Sequence, residues 1–388
     1  MARTAKHDWP MVRLGDVADF VNGYAFKPAD WGEEGRPIIR IQNLTSTNKA
    51  FNYTSRRVPE KYSVSKGDIL VSWSATLGVF EWDGPNALLN QHIFKVVPTN
   101  KVEPSYLKHI IPAALGEMKK HLHGATMKHV NRKEFLGTKI PLPPLDEQRR
   151  IAAVLDEVGR LSSIQIKKVE GLEALKRVVV EEFLKARGDQ EVELGTISEI
   201  QSGITKGRKV SKKSTTSIVP YLSVSNVKDG FLQLHPIKEI NATNDEISRY
   251  QLQRGDIVLT EGGDPDKLGR GTVWNNEIPV CIHQNHIFRV RILQDSTVMT
   301  PEVLAAILSS SRPKKHFLRS AKQTTGIASI NKSQLSRTPI PNLTRDDVRA
   351  LSLQIELLKL EQERAETQRS SFEELRQSLS TRAFQGEL

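Results

Sequence analysis

The sequence is poor in cysteine, in aromatic residues and in long apolar runs. Its 388 residues include one cysteine, Cys281, so an internal disulfide and a zinc site built from cysteines alone are both excluded. Cys281 lies in an apolar run with no base beside it, which predicts a buried thiol. No stretch approaches the roughly 18 consecutive apolar residues of a membrane span, and the amino-terminal segment lacks the apolar core of a signal peptide. These absences predict a cytoplasmic protein.

The sequence also lacks the motifs of common catalytic and cofactor sites. It contains no G-x-x-x-x-G-K-[ST] loop, no G-x-G-x-x-G turn and no Asn-Pro-Pro-aromatic or Asp-Pro-Pro-aromatic run of adenine methyltransferases. His121, His123 and His129 have no carboxylate at a metal-ligand spacing, so they are interpreted as part of a basic patch. His283 and His286, at the end of a predicted strand, are interpreted as hydrogen-bonded core residues. We therefore predict no catalytic residues, no metal and no cofactor.

An internal repeat organises the chain. The segment LGDVADFVNG at 14–23 returns as LGTISEIQSG at 194–203, and YSVSKGDILV at 62–71 returns as YQLQRGDIVL at 250–259. The same order holds for three further pairs of segments: 37–44 with 220–227, 90–96 with 284–290, and 130–143 with 330–342. A repeat of this length is too long for a solenoid unit and indicates a domain duplication.

Two long helical segments follow the two copies. From Leu145 to about Arg187, and again from about Thr344 to Phe384, apolar residues recur at alternating spacings of three and four. This pattern predicts two coiled-coil helices, and antiparallel pairing is the simplest way to bury both stripes. We therefore predict an α+β fold with two similar globular domains, two long antiparallel helices and a pseudo-two-fold arrangement. The predicted segments are a first domain at 1–143, a central helix at 144–190, a second domain at 191–342 and a final helix at 343–388.

The chain is basic, with 56 Lys and Arg against 45 Asp and Glu and a formal charge of +11. The excess is confined to the predicted domains. Residues 1–143 carry +7 and residues 191–342 carry +6, whereas the central helix is neutral and the final helix carries −2. Two basic domains joined by a neutral helix favour two binding sites for one polyanion, and nucleic acid is the polyanion that fits this pattern.

Basic residues cluster at equivalent places in the two copies, after a short helix and before an Asn-Arg or Asn-Lys turn. This placement predicts contacts with phosphates. The candidates in the first domain are Lys119, Lys120, Lys128 and Arg132 of this cluster, and a separate pair, Arg56 and Arg57. The candidates in the second domain are Lys314, Lys315, Arg319 and Lys322 of the matching cluster, and a separate basic loop with Lys206, Arg208, Lys209, Lys212 and Lys213. A solvated charged face is the alternative for any single cluster.

Loops that follow the two GDI strands are the candidates for contacts with base edges. The first loop provides Ser72, Trp73 and Ser74. The second, TEGGDPDKLGRG at 260–271, provides Thr260, Glu261, Asp264, Lys267 and Arg270. The loops occupy equivalent places but differ in sequence and length, as two half-sites of different sequence would require. Ordinary loop divergence is the alternative interpretation.

The first long helix begins within IPLPPLDEQRRIAAVLDEV at 140–158. This segment, the GDIL turn and the duplication together resemble the specificity subunit of type I restriction–modification systems. The resemblance covers nearly the whole chain, although the second helix begins differently, with IPNLTRDDVRAL at 340–351. It implies that each domain is a target-recognition domain for one half of a bipartite, asymmetric site on double-stranded DNA.

The resemblance further implies partners and a division of labour. Two methyltransferase subunits would dock on the helices, bind S-adenosylmethionine and methylate adenine, and added motor-nuclease subunits would cut unmethylated DNA. The helices would set the distance between the half-sites, and the chain itself would carry out no chemistry. On the residues alone two other hypotheses stay open: a coiled-coil scaffold whose basic domains bind RNA or an acidic protein, and an enzyme in its own right.

Overall fold

The computed structural model describes residues 9–45, 50–73, 77–121, 132–187, 190–209, 211, 214–264, 267–293, 298–324 and 327–388, without the side chains of 117–121, 323, 324 and 327. The chain forms two compact units. Unit 1 consists of Met1–Ile166 and Glu366–Leu388, and unit 2 consists of Lys167–Ala365. Each unit therefore combines one copy of the repeat with parts of both long helices.

Short strands make up most of the first copy, because Gly, Pro and Asn interrupt its apolar runs. The strands are β1 (Met11–Arg13), β2 (Ala18–Asn22), β3 (Arg36–Ile39), β4 (Asn52–Thr54), β5 (Ser63–Val64), β6 (Ile69–Ser72), β7 (Gly78–Glu81), β8 (Ala87–Leu89), β9 (Ile93–Pro98) and β10 (Lys139–Pro141). The helices are α1 (Ile41–Thr45), α2 (Pro104–His121), α3 (Arg132–Gly137) and the first long helix, α4 (Leu145–Ala186).

A four-stranded antiparallel sheet, with the strand order β2-β9-β6-β7, forms the centre of unit 1. In β2, Ala18 and Phe20 are buried while Asp19 between them is exposed, which is the period of two of a half-buried strand. Apolar side chains of α2, α3 and the first turns of α4 belong to the same buried cluster. A second sheet, β4-β3-β8-β5, includes the parallel pair β3 and β8 and packs its own apolar residues against Leu70 and Ile93.

The second copy contains a longer set of elements. Its strands are β11 (Glu191–Glu193), β12 (Ser198–Ser202), β13 (Thr216–Leu222), β14 (Lys238–Thr243), β15 (Ile257–Thr260), β16 (Gly262–Gly263), β17 (Gly271–Val273), β18 (Ile282–His283), β19 (Ile287–Ile292), β20 (Lys322–Thr324), β21 (Ile327–Ser329) and β22 (Pro339–Pro341). Its helices are α5 (Leu194–Ile197), α6 (Asn244–Tyr250), α7 (Pro301–Leu308), α8 (Ser311–Ser320), α9 (Lys332–Ser336) and the second long helix, α10 (Arg345–Gln385).

Unit 2 repeats the topology of unit 1. Its four-stranded sheet has the order β12-β19-β15-β17, and each strand is the repeat partner of the strand at the same place in β2-β9-β6-β7. The sheet β14-β13-β18 again contains one parallel pair, and β11 pairs with β22 as β1 pairs with β10. Unit 2 adds a small sheet, β16-β21-β20, at the loop that follows β15. The predicted domain duplication is confirmed.

The GDI motif forms a turn before the central strand in both copies. Its glycines, Gly67 and Gly255, have φ angles of 90° and 92°, which glycine adopts without strain. The carboxylate of Asp256 accepts a hydrogen bond from the N–H of Gln253 and forms a two-pronged ion pair with Arg291 of β19, all at 2.7 Å. Asp68 closes the equivalent turn and pairs with Lys95 of β9 at 2.7 Å. The motif therefore ties the start of one central strand to its neighbour.

The two long helices, of 42 and 41 residues, pack against each other within each unit. In unit 1 the first turns of α4 and the last turns of α10 share one apolar cluster, which contains Ile151, Leu155 and Ala383. The guanidinium of Arg150 also donates a hydrogen bond to the backbone carbonyl of Leu388, at 2.9 Å. The start of α4 thus lies beside the end of α10.

In unit 2 the later part of α4 packs against the first part of α10. Lys168 pairs with Glu361 at 3.1 Å and Arg187 pairs with Asp347 at 2.6 Å, so the helices run antiparallel. The predicted α+β fold with two similar domains and two long antiparallel helices is confirmed. Leu175, predicted on the buried stripe, is instead 47% exposed. A straight helix drifts by about 20° per heptad from a strict 3.5-residue repeat, which turns this position outward.

The helix bounds, 145–186 and 345–385, lie inside the predicted helical segments, while the four-segment division of the chain stays a prediction. Trp9 and Leu388 both pack against the apolar cluster of unit 1, which places the two ends of the described chain on one core. In the part of the chain that the structure describes, none of the helices combines the length and apolar character that crossing a membrane requires.

Replacing Asp256 by alanine is expected to destabilise unit 2. The change leaves the partly buried guanidinium of Arg291 without its carboxylate and removes the acceptor for the Gln253 N–H, at a cost of about 3 kcal/mol in unfolding free energy. Asp264→Ala is the matched control, because Asp264 is exposed and water screens its ion pair with Lys267, which therefore contributes little to stability. Urea denaturation followed by circular dichroism measures both variants, and equal losses would contradict the structural role of the GDI aspartate.

Candidate nucleic-acid interface

Helix α8 carries a basic cluster on the side opposite its apolar anchor. Phe317 is fully buried, and residues two positions before and after it point about 200° away around the helix. These residues, Lys315 and Arg319, are accordingly exposed. Lys314 instead forms an ion pair with Asp229 at 3.1 Å. The fold therefore leaves two cations of this cluster facing solvent.

A shallow recess of about 270 Å³ lies beside α8. It is lined by Arg312, Lys315, His316 and Arg319, together with Glu191, Ser311 and Pro339. Arg312 is held by Glu191 at 2.7 Å, which leaves Lys315 and Arg319 as the cations available to a ligand. A phosphate group suits this recess because its oxygens accept charge-assisted hydrogen bonds.

Three more candidates lie around the loop that follows β15. Lys322 is the exposed first residue of β20, two strands away from β16 in the small sheet. Lys267 pairs with Asp264. The guanidinium of Arg270 donates to the backbone carbonyl of Val224 at 3.4 Å, so part of its hydrogen-bonding capacity serves the fold. The loop is thus bordered by three positive charges.

The basic loop after β12 contains both anchored and exposed cations. The guanidinium of Arg208 donates two hydrogen bonds of 2.5 Å to Glu246 and one of 2.9 Å to the carbonyl of Asn241. These bonds from Arg208 are the main reason that the pKa of Glu246 is lowered to about 2. Lys206 and Lys209 on either side are exposed. Arg208 therefore anchors the loop, and its neighbours are left to contact a ligand.

In unit 1, Arg56 and Arg57 differ in the same way. Arg56 pairs with Asp30 at 2.6 Å and lies over the ring of Tyr24, with 5.5 Å between guanidinium carbon and ring centroid. The pKa of the Asp30 carboxyl is lowered, first by the backbone N–H of Lys27 and then by Arg56. Arg57 is exposed.

The first predicted base-reading loop is partly built into the core. Ser72 is fully buried at the end of β6, so its side chain does not reach the surface in this conformation. Trp73 stacks on Phe94, with ring centroids 5.6 Å apart. The guanidinium carbon of Arg132 lies 5.8 Å from the ring centroid of Phe94, and the guanidinium donates to the carbonyl of Phe20 at 3.1 Å. These contacts explain the three residues by packing.

The side chains of six further predicted residues are outside the part of the chain that the structure describes. Lys119 and Lys120 lie near the end of α2, where only the backbone is described. Four others lie outside the described residues: Ser74, Lys128, Lys212 and Lys213. The placed candidates thus divide into exposed cations and cations engaged in the fold. The exposed ones are Arg57, Lys206, Lys209, Lys315, Arg319 and Lys322, and the engaged ones are Arg56, Arg132, Arg208, Lys267, Arg270 and Lys314.

The sequence predicted that Cys281, His283 and His286 are all buried, and the structure buries two of the three. Cys281 is fully buried, as predicted, and burial raises the pKa of its thiol to about 12. His283 is also a core residue: burial lowers its pKa to about 4, and its Nδ1 lies 3.0 Å from the carbonyl of Ile287. The prediction for His286 was wrong, since its side chain is 56% exposed. Within the described ranges, no group of three His, Cys, Asp or Glu residues is arranged to hold a metal.

A larger open cavity of about 790 Å³ in unit 1 lies between α2 and the two long helices. Its wall contains a polar network in which Asp156 contacts Lys108 at 2.7 Å and His109 at 2.8 Å. Burial lowers the pKa of His109, and the carboxylate of Asp156 opposes that shift. The repeat partners of Lys108 and His109 are alanines, Ala305 and Ala306, so this network is confined to one copy.

Comparison with known proteins gives a family for this architecture. Residues 6–177 match the model of the type I restriction modification DNA specificity domain. The specificity subunit of the Escherichia coli type I restriction enzyme EcoBI is 25% identical over 98% of this chain and 87% of its own length. That of EcoKI, from Escherichia coli K12, is 22% identical over 98% of this chain and 89% of its own. The chain is similar to type I restriction–modification specificity subunits along nearly its whole length.

A further relative and a solved structure are also similar to this chain. The MjaVIII specificity subunit of Methanocaldococcus jannaschii is 28% identical over 65% of this chain and 63% of its own length. A chain from a structure of the type I restriction–modification system superimposes with a TM-score of 0.56 at 18% identity, covering 99% of this chain and all of that chain. This likeness supports the fold.

Sequence reasoning named Glu261 as a candidate but missed its exposed pairing with His286. Nδ1 of His286 lies 2.7 Å from Oε2 of Glu261, the first residue after β15. The match of NQHIF with QNHIF aligns His92 with His286 and was the available signal. Reading both histidines of HQNH as core residues hid the difference between the inward His283 and the outward His286.

Replacing Lys315 by alanine is expected to weaken binding to all DNA duplexes by a similar factor. An exposed lysine that contacts one phosphate releases about one counterion, so the slope of log K against log salt should fall by about 0.9. Lys314→Ala is the matched control and should change the slope less, because Lys314 is paired with Asp229. Fluorescence anisotropy titrations over a range of salt concentrations measure both. A changed base preference in Lys315→Ala would show that this lysine contacts a base.

Proposed function

We propose that this chain is a specificity subunit that binds a bipartite, asymmetric DNA target, with each domain recognising one half-site, and that it carries out no chemistry itself. The observation that best supports this proposal is the duplicated sheet order, β2-β9-β6-β7 and β12-β19-β15-β17, in a chain that is similar to this family. Two copies of one DNA-binding frame in a single chain suit two half-sites on one duplex. The exposed cations of both domains supply the phosphate contacts that such binding needs.

The difference between the two loops after the GDI strands supports an asymmetric target. In unit 1 the strand β6 leads into Trp73, which packs on the core. In unit 2 the strand β15 leads into the additional sheet β16-β21-β20 and an exposed charged segment. Equal half-sites would need equal loops, so the divergence indicates two different half-site sequences.

The long helices are proposed to set the separation of the half-sites and to bind methyltransferase subunits. A helix of 42 residues is ~63 Å long, enough to separate two sites by one or more turns of DNA at ~34 Å per turn. Leu353, Leu357 and Leu360 form an exposed apolar stripe on α10, at 58%, 56% and 45% exposure. Such a stripe is typical of a protein–protein interface. Two methyltransferase subunits, with motor-nuclease subunits added for restriction, are the partners we propose.

Deleting the gene for this chain is expected to abolish one bipartite adenine-methylation motif in the genome. Single-molecule methylome sequencing of cells with and without the chain measures this, and restoring the gene should restore the motif. The mapped motif would give both half-sites and their spacing. An unchanged methylome would contradict the proposed function, and preferential binding of RNA over duplex DNA by the purified chain would favour the scaffold hypothesis.

Lengthening both long helices by one heptad is expected to lengthen the spacer and leave the half-sites unchanged. Seven residues add ~10 Å to each helix and keep its apolar stripe in phase, which corresponds to about three base pairs at ~3.4 Å each. The insertions belong beside the paired residues Lys168 and Glu361, so that the antiparallel contacts on both sides are kept. Inserting the heptad into α4 alone is the control and should abolish methylation. An unchanged spacer, by methylome sequencing, would contradict the role of the helices.

A further inference from the structure

The residue directly after the GDI strand is held in the same way in both copies. In unit 1 the N–H of Trp73 donates to the carbonyl of His92 at 3.4 Å, and in unit 2 the N–H of Glu261 donates to the carbonyl of His286 at 2.9 Å. The side chains differ entirely: one pair consists of two aromatic rings and the other of a carboxylate and an imidazole. The same backbone position therefore displays different chemistry in the two domains.

The carboxylate of Glu261 is fixed in place and remains accessible. Its backbone is held on both sides, because its carbonyl also accepts a hydrogen bond from the N–H of Ile330 at 3.0 Å. Its Oε2 lies 2.7 Å from Nδ1 of His286, where an N–H on Nδ1 donates to it. Among the described residues Oε1 has no hydrogen-bond partner, and the two side chains are 30% and 56% exposed.

The surroundings of Glu261 point to DNA. Arg270 lies on the neighbouring segment, where its carbonyl accepts from the N–H of Thr260, and Lys322 lies two strands from β16, about 10 Å across the small sheet. Lys267 follows in the same loop. A carboxylate among such cations is repelled by phosphates, so its favourable contact on DNA is a hydrogen-bond donor on a base. In the major groove that donor is an exocyclic amino group of cytosine or adenine.

We propose that Glu261 accepts a hydrogen bond from an exocyclic amino group in the half-site bound by the second domain, and that His286 positions its carboxylate. This inference rests on the proposed function and assigns one specificity-determining position within it. Glu261 contacts the base, whereas His286 acts through Glu261. The equivalent position in the first domain holds Trp73, which has no acceptor of this kind, so the two half-sites differ there.

The test is methylome sequencing of cells in which the chain is replaced by Glu261→Ala. One position of one half-site should become degenerate, with discrimination against the wrong base falling by a factor of about 5 to 150, while the other half-site and the spacer stay the same. His286→Gln should relax the same position to a smaller extent. Glu302→Ala is the matched control, because it removes an exposed carboxylate from α7 in the same unit and should leave the motif unchanged.

The outcomes separate this inference from the proposed function. The wild-type chain is mapped first, and the absence of any bipartite motif would count against the proposed function itself. With a wild-type motif in hand, an unchanged motif in Glu261→Ala overturns the inference, and so does a uniform loss of methylation at all sites in a folded variant. Glu261→Gln keeps the size of the side chain and its bond to His286. If the alanine variant does not fold, the methylation motif of the Glu261→Gln variant is compared with the wild-type motif by the same criteria.

Discussion

The packing of the first turns of each long helix into the core of the preceding domain constrains the rest of the molecule. Ile151 and Leu155 of α4 are buried in the core of unit 1, and Leu351 and Ile355 of α10 are buried in the core of unit 2. Each such side chain stabilises the contact by roughly 1.5–3 kcal/mol. The buried amide of Gln148 also fixes the orientation of the first turn of α4, because it accepts a hydrogen bond from the N–H of Glu103 at 2.7 Å and donates one to the carbonyl of Pro143 at 2.8 Å. Each long helix is thus fixed at its start to the core of one domain.

Some of the basic residues hold the fold together and others remain exposed to solvent, and the amino-acid composition does not distinguish the two groups. Arg208 and Lys314 neutralise Glu246 and Asp229 and so organise loops, whereas Lys315 and its exposed neighbours retain their charge toward solvent. A cation that already has a carboxylate partner releases few DNA counterions when a phosphate approaches. The proposed phosphate contacts therefore depend on the unpaired cations, and the paired cations determine where the unpaired ones are displayed.

Duplication and divergence act on different parts of the domains. The central sheet, the parallel pair and the GDI turn are kept in both copies, and strand pairing and partly buried ion pairs hold them. The position after the GDI strand keeps the same backbone hydrogen bond in both copies, but its side chain differs: Trp73 stacks on Phe94 in one copy, and Glu261 pairs with His286 in the other. A shared frame with a different side chain at this position suits the proposed binding of two different half-sites.

The sequence by itself determined the duplication, the two long helices, the basic domains and the buried thiol of Cys281, because these follow from order, periodicity and composition along the chain. Tertiary structure alone decided which cations are free, since the partners of Arg56 and Lys314 lie 26 and 85 residues away in the sequence. It also buried Ser72 and exposed His286, two positions whose strand-end patterns are similar. Burial and ion pairing depend on which distant segments come into contact in the folded chain, and a local sequence pattern does not contain that information.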